Sequence, residues 1–489
     1  MANISSALNH ALAGLSVSAA QSALVARNVS NAGDENYTRK SAEIYTMPGG
    51  TPMVSAVNRS TDRQLLDKLL ASSSDEAGKT VILDTLTRMS SLSGDPEDNR
   101  SLAAGLSTLQ QSLRAYESNP ASITLGRDAL EAARSLVEKL NNASHEASLI
   151  RSEADEAMSG SVDRINSLLA QFKIVNDGVV RGQGTASELS DTLDQRDAIL
   201  KQLSDEIGIR TTVRPNNDIL VYAEGGAVLF EGSPRTVRFA ASTPLAPGVA
   251  GGAVLIDGVA VTGHGAPMPI SGGKLAALAQ VRDRTTPQFS TQLDQIAAGL
   301  IRSFTETDPV SPPSLPEVEG LFVGNTGTLP QLSNPPAGLA GRMGINALAD
   351  PQQGGSVLLL RDGGFGGVSY LRNTLSQPGY QARIAELADS VDAVRSFGET
   401  AGIGGAVSLK SLSLQSSAWV EGSRQAAGKS LDLASAMRVR AGDSLARVTG
   451  VNIDQEMATL LDLEKSYQAS SKVLATVDAM LAALMEAVR

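Results

Sequence analysis

The sequence contains no cysteine, so disulfides, thiolate nucleophiles, iron–sulfur clusters and Cys-ligated zinc are excluded, and the redox compartment is not legible from it. Aromatic residues make up only 3%, which removes the usual stacking platforms for sugars and single-stranded nucleic acid. Histidine occurs three times, at His10, His145 and His264, without the spacing of a metal site. No apolar run approaches the roughly 20 residues of a membrane span. The first 26 residues hold no Lys or Arg, and Ile4 to Val29 is studded with Ser, Asn and Gln. Both the charged and the apolar region of a secretory signal are therefore missing, and an exported chain of this kind would use a route that reads no ordinary signal. With 41 Lys+Arg against 52 Asp+Glu and no segregated basic patch, a net charge of -11 argues against nucleic acid as a partner.

What is present is a 489-residue globular composition, 42% hydrophobic and long enough for about three domains. The ends are the most periodic parts. Ile4, Leu8, Ala11, Leu15, Ser18, Ser22, Val25 and Val29 alternate steps of four and three, the spacing of a thin coiled-coil seam. Ile453, Leu460, Tyr467, Leu474, Leu481 and Val488 fall seven apart, after Asn452 and Gln455 in capping-box positions. Helical spacing also fills 60–207, broken at Asn119-Pro120 and Gly182-Gln183-Gly184. After Gly208 the texture changes to short β-branched runs, Ile209 to Val213, Ile219 to Tyr222, Val228 to Phe230 and Val254 to Ile256. Asn216-Asn217-Asp218, Gly225-Gly226 and Asp257-Gly258 punctuate them as hairpin turns. A Pro- and Gly-rich stretch follows, with weakly strand-like pieces near Arg342 to Leu348 and Val357 to Leu360.

Catalytic patterns are near-misses. Gly428-Lys429-Ser430 ends like a phosphate-cradling loop, but Ser423 stands at the upstream glycine position and the segment reads as mid-helix. Gly442-Asp443-Ser444-Leu445-Ala446 lacks the last glycine of a nucleophile elbow and has no strand before it. Gly363-Gly364-Phe365-Gly366-Gly367 has no fingerprint spacing and reads as a loop; His264 reads as a surface turn and Trp419 as a packed helix residue. No catalytic residue, cofactor site or metal site is expected.

The distinctive residues lie at the ends and in one helix. Asn28-Val29-Ser30-Asn31, with Tyr37-Thr38-Arg39 six residues on, resembles the Asn-x-x-Asn and Tyr-Thr-Arg signature that follows the first helix of bacterial flagellar axial proteins. At helix ends such Asn residues cap carbonyls or take left-handed conformations, and the Tyr anchors the returning chain. Gly450-Val451-Asn452-Ile453-Asp454, leading to Tyr467-Gln468-Ala469-Ser470 and Val477-Asp478-Ala479-Met480, resembles the C-terminal helix of the same proteins. Leu193-Asp194-Gln195-Arg196-Asp197 and Ser118-Asn119-Pro120 are similar to the hook-associated members, those that join hook to filament. Taken alone, Leu193 to Asp197 reads as a solvated helix face with an Asp197–Lys201 pair. One departure is Asp34-Glu35-Asn36 where the family usually has Thr-Pro-Gly, with Asn36 expected to supply the left-handed conformation.

The expected fold is mainly α with an inserted β-rich module: terminal helices paired as a coiled coil, a helical bundle body, and a small antiparallel β domain at the tip. The expected division is a terminal helix and turn over 1–59, a helical body over 60–207, the β-rich module over 208–272 and a helical return over 273–306. A Pro/Gly-rich segment over 307–379, the second part of the helical body over 380–449 and the C-terminal helix over 450–489 complete it. The resemblance implies a non-enzymatic, extracellular flagellar component, exported through the flagellar type III apparatus without membrane insertion. It would self-assemble between hook protein on one side and a second junction protein and flagellin on the other, with an export chaperone on its C-terminal helix. The residues expected at the assembly interface are Ile4, Leu8, Leu15, Val25, Val29, Asn28, Asn31, Tyr37, Ile453, Leu460, Tyr467, Leu474, Leu481 and Val488. Hook protein, a flagellin-like chain and a helical surface adhesin are the alternatives. Each terminal stripe offers about 1.5–3 kcal/mol per buried large side chain against about 1–2 kcal/mol per ordered residue, so the ends should be largely disordered in the monomer and become helical only among neighbouring subunits.

Overall fold

A computed structural model describes residues 2–487 except Gly49, 94–100, 183–185, Thr243, Pro244, Ser311, Pro312 and Thr326. Long helices dominate, and their ends are set by local chemistry. The first helix, α1, spans Ala2–Ser30. The chain then returns as an antiparallel hairpin of β1 (Lys40–Thr46) and β2 (Pro52–Arg59), where the sequence suggested only a turn. Helix α2 (Arg63–Ser93) follows, then α3 (Leu102–Ser118), capped by Ser101, and α4 (Ile123–Arg181), capped by Ser122. The Asn119-Pro120 break falls between the last two. A 59-residue helix needs a firm stop, and Gly182 supplies it with a left-handed φ of 59°. The rest of the expected break, Gln183-Gly184, lies outside the described residues. Helix α5 spans Ala186–Glu206.

The β-rich module begins directly after it. Strands β3 (Ile209–Val213), β4 (Ile219–Ala223) and β5 (Val228–Phe230) form one antiparallel sheet. Strands β6 (Val237–Arg238), β7 (Leu255–Ile256) and β8 (Val259–Ala260) form a second. The positive φ values of Asn217, Gly226, Asp257 and Gly258 sit in the hairpin turns that the sequence marked. Helix α6 (Gly273–Gln280) then runs through one π turn into α7 (Thr286–Ser303).

Beyond it, irregular chain carries β9 (Phe322–Val323) paired with β10 (Gly344–Ile345), and a short helix α8 (Leu359–Asp362). The strand-like run from Val357 to Leu360 is thus a turn entering a helix. Helix α9 (Ala382–Ser390) and the hairpin of β11 (Arg395–Phe397) and β12 (Gly405–Val407) precede α10 (Leu409–Thr449). The hairpin interrupts a segment read as helical throughout, because glycines at 398, 402, 404 and 405 break the pattern. The last helix, α11, spans Ile453–Ala487, and Asn452 Oδ1 accepts from Gln455 N at 3.1 Å as its cap.

Two apolar cores share α4. Its first half packs with α3, α7, α9 and the start of α10 around Leu109, Leu136, Leu140, Leu293, Ile296 and Leu412. Its second half packs with α5, α6 and both small sheets around Ile165, Leu169, Leu203, Val221 and Ile256, with Phe172 and Phe230 edge to face at 4.9 Å. Trp419 packs at the margin of the first core. The fold is therefore mainly α with a β module. Two antiparallel helix pairs carry the chain ends: α2 with α10, fixed by Arg438–Glu76 and by Ser90 donating to Glu421 at 3.1 Å, and α1 with α11.

Candidate assembly site at the paired termini

The pairing of α1 with α11 places Gly14 against Ser470 and Asn28 against Glu456, so the two helices run antiparallel. Ala11, Val17, Ser18 and Val25 are buried on the α1 side, and Glu456, Leu463 and Val477 on the α11 side. Of the expected interface residues, Val25 and Asn28 are buried, while Leu8, Leu15, Val29, Asn31, Tyr37, Leu460, Leu474 and Leu481 are half-buried. Ile453 and Tyr467 instead remain 50% and 49% exposed. The α11 seam within one chain thus runs through Leu463 and Val477, one turn aside from the Ile453 and Tyr467 positions. The heptad reading found the stripe but not which side of it α1 covers, since both sides are apolar. Ile4 is described by its backbone alone, and Val488 lies outside the described residues.

At the end of this pair a polar hub joins four elements. Asn28 is the centre: its Nδ2 donates to Lys40 O at 2.9 Å and to Glu456 Oε2 at 3.0 Å. Its Oδ1 accepts from Tyr37 Oη at 2.9 Å and from Lys40 N at 3.1 Å. All four hydrogen-bonding positions of a buried amide are filled, which is what makes its burial tolerable. Glu456 is buried as well, and Arg39 Nε donates to its Oε1 at 2.6 Å. Burial pushes the Tyr37 phenol up to about 12, against the pull of Arg27, so it donates as the neutral hydroxyl. Asn31 caps the helix end, its Nδ2 donating to Arg27 O at 2.8 Å.

The second half of the hub is the Leu193 to Asp197 stretch of α5. Asp194 accepts from Thr38 Oγ1 at 2.6 Å, Lys40 Nζ at 3.1 Å and Arg59 at 3.0 Å. Asp197 pairs with Arg59 at 2.8 Å rather than with Lys201, whose Nζ reaches Glu35 O and Asn36 Oδ1, each at 3.2 Å. The solvated-face reading of this motif is therefore replaced by a docking face for the N-terminal hairpin. Asp191 takes both Arg27 and Lys40; burial pushes its carboxyl up, but those hydrogen bonds outweigh it and the carboxyl lies below its ordinary range. Arg196 points the other way, to Asn176 at 3.2 Å and Asn217 O at 2.6 Å, tying α5 to α4 and the β3–β4 turn. Burial lowers that guanidinium to about 10.

The 34–36 turn is built differently from the expectation. Asn36 has no positive φ; Asp34 Oδ1 accepts from Asn36 N at 2.9 Å and Asp34 O from Tyr37 N at 3.1 Å. A side-chain acceptor does there what a left-handed residue would do.

Lys40, Arg59 and Glu456 left no signal in the sequence, because the ion-pair partners of all three lie 135 or more positions away. The rejected motifs have structural explanations. Gly428 to Ser430 and Gly442 to Ala446 both lie within α10, and Gly364 N and Gly366 N donate to the chain's own buried Glu306 at 2.8 and 2.9 Å. The three histidines stand apart on α1, α4 and the 263–265 turn. Among the described residues no group of three His, Asp or Glu is placed to hold a metal, and no helix is long and apolar enough to cross a membrane.

Comparison with known proteins gives two family matches. Residues 86–308 match the flagellar hook-associated protein FlgK helical domain, and residues 447–487 the flagellar basal body rod FlgEFG protein C-terminal family. Flagellar hook-associated protein 1 of Salmonella typhimurium is 25% identical over 252 residues, 49% of this chain and 45% of that protein. The protein of the same name from Escherichia coli is 23% identical over 313 residues, 62% of this chain and 56% of that one. The chain thus spans about half the length of the curated relatives it matches. Among solved structures, the flagellar hook junction protein FlgK from Burkholderia pseudomallei superposes with a TM-score of 0.42 at 21% identity, covering 53% of this chain and 46% of that one.

Proposed function

We infer from the chain's membership of the flagellar hook-associated protein family that it is a structural, non-enzymatic subunit of the bacterial flagellum, self-assembling into the junction zone between hook and filament and needed for filament growth. The observation that carries this reading is the α1–α11 pair, which uses one stripe of α11 inside the chain and leaves Ile453, Met457, Leu461, Tyr467 and Met485 exposed. An apolar row of that length on a helix is a surface for neighbouring helices. In this reading the terminal helices pack together around the axis of the assembly. The hub at Asn28 fixes them to the body, and the body is divided at 59, 207, 272, 306, 379 and 449. Hook protein lies on one side; a second junction protein and flagellin lie on the other. The chain leaves the cell through the flagellar type III apparatus, with an export chaperone on α11.

Electron microscopy of a deletion strain of the source bacterium tests this. Bare hooks without filaments, restored to filaments by the full chain, are the expected result. Missing hooks would favour hook protein, normal hooks with a shed or altered filament would favour a flagellin-like chain, and intact flagella would favour an adhesin.

A further inference from the structure

The β1–β2 hairpin and the cleft at the base of the termini form a protrusion and a hole on one chain. From Ile44 to Asn58 the hairpin carries no charged residue, and Ile44, Tyr45, Met47 and Met53 are exposed at or near its tip. Gly50 lies beside the His10 ring, whereas Lys40 lies beside Asn28. The hairpin therefore runs back along α1, and its tip stands 18 helical residues, about 27 Å, from its base.

The cleft opens at that base. It has a volume of about 1080 Å³ between the 31–38 turn, the foot of β2, the start of α2, the face of α5 and the end of α10. Leu66, Leu69, Leu193, Val439, Leu445 and Val451 supply its apolar lining. Its cations are already engaged: Arg59 with Asp194 and Asp197, Arg63 with Asp67, Arg196 with Asn176, Lys201 with Asn36, and Arg438 with Glu76. An anionic visitor would find no free counter-charge among these groups, and the apolar lining suits an uncharged apolar one.

We propose that the hairpin tip of one subunit seats in this cleft of a second copy of the same chain. The proposal rests on the self-assembling role inferred above. The tip cannot fill its own cleft, because the length of the hairpin separates them. Tip and cleft are also different surfaces, so the contact is head-to-tail; such a contact propagates into a ring or an open helical array and does not form a two-fold dimer. Seating the tip also covers an exposed apolar hairpin, which free in solution is a liability for unspecific pairing.

The chain has no cysteine, so paired cysteines give a clean test. Met47→Cys at the tip and Asp443→Cys at the cleft rim are both at exposed positions. In purified hook–junction particles, mild oxidation of the double variant should give a ladder of disulfide-linked dimers, trimers and higher species. Either single variant should stop at dimers. Met47→Cys combined with Ile174→Cys, exposed on α4 away from the cleft, should give no ladder. Monomers only from cells that carry filaments, a fast-migrating internally linked monomer, or equal linking of the Ile174 control would each overturn the proposal while leaving the junction role standing. If the unmodified chain itself fails to restore filaments, the junction role is the reading that fails, and the proposal with it. Tyr45→Asp, at another exposed position, should melt like the parent chain and lower filament number at least tenfold; wild-type filament numbers would overturn the proposal.

Discussion

Asn28 and Glu456 are 428 positions apart in sequence and 3.0 Å apart in the fold, the amide of the first donating to the carboxylate of the second. Asn28→Ala would strand Glu456 Oε2, Tyr37 Oη and both backbone groups of Lys40 in a buried site. At about 1–3 kcal/mol per unsatisfied group, partly relieved by solvent entry, the loss should be at least 2 kcal/mol. Glu456→Ala should cost a similar amount, and the double variant should lose much less than the sum, since both remove one network. Additive losses in chemical denaturation would show that the two residues act separately.

Asp294 predicts a pH dependence of the opposite sign to the usual carboxylate. Burial on α7 raises its pKa to about 6 from the ordinary 3.8, although Ala340 N and Gly338 N donate to it at 2.8 Å and Arg342 lies near. The folded chain then binds a proton that the unfolded chain has released between pH 3.8 and about 6. Its contribution to stability therefore falls as pH rises through that window, by about 3 kcal/mol in all. Asp294→Asn removes the slope while adding a fixed penalty, because its amide faces one of the two N–H groups. The difference in stability between parent and variant, followed from pH 4 to pH 7, should drift in favour of the variant. A difference independent of pH would refute the assignment.

The two sides of α11 should separate folding from assembly. Val477 is 6% exposed and faces α1, so Val477→Asp should loosen the terminal pair of a single chain, measured as faster proteolysis of both ends. Tyr467 is half-exposed, so Tyr467→Asp should leave melting and proteolysis unchanged and yet give bare hooks. Leu474, half-buried between them, should show both effects as Leu474→Asp. Normal filaments on the Tyr467 variant would remove that side of the helix from the assembly surface.

Limited proteolysis of the monomer should trim α11 and the first part of α1, where few large side chains are buried. It should stop before Arg27. Beyond that point Arg27, Lys40 and Arg59 are held by Asp191, Asp194 and Asp197, and Lys40 is fully buried. The two-stranded hairpin is thus fastened to the body, and a protease-resistant fragment should retain it. Cleavage between Lys40 and Arg59 at the same rate as in α1 would mean that the hub does not hold in one chain alone.

The sequence by itself determined the long helices at both ends, the break at Asn119-Pro120, the stop at Gly182 and the hairpin turns of the β module. Each of these is a local matter: spacing of apolar residues, a missing amide hydrogen, a residue able to take positive φ. It also marked Asn28, Asn31, Tyr37 and the Leu193 to Asp197 stretch as unusual, through resemblance. What those residues touch was decided only by tertiary structure. Asn28 reads as a helix cap and is a buried hub; Asp197 reads as a partner of Lys201 and binds Arg59. The choice between Leu463 with Val477 and Ile453 with Tyr467 as the inner side of α11 was likewise not local. A heptad stripe fixes which residues share a face, but the neighbour that covers it is set by the 27–40 turn and the ion pairs behind it. Those link residues more than a hundred positions apart, where periodicity carries no information.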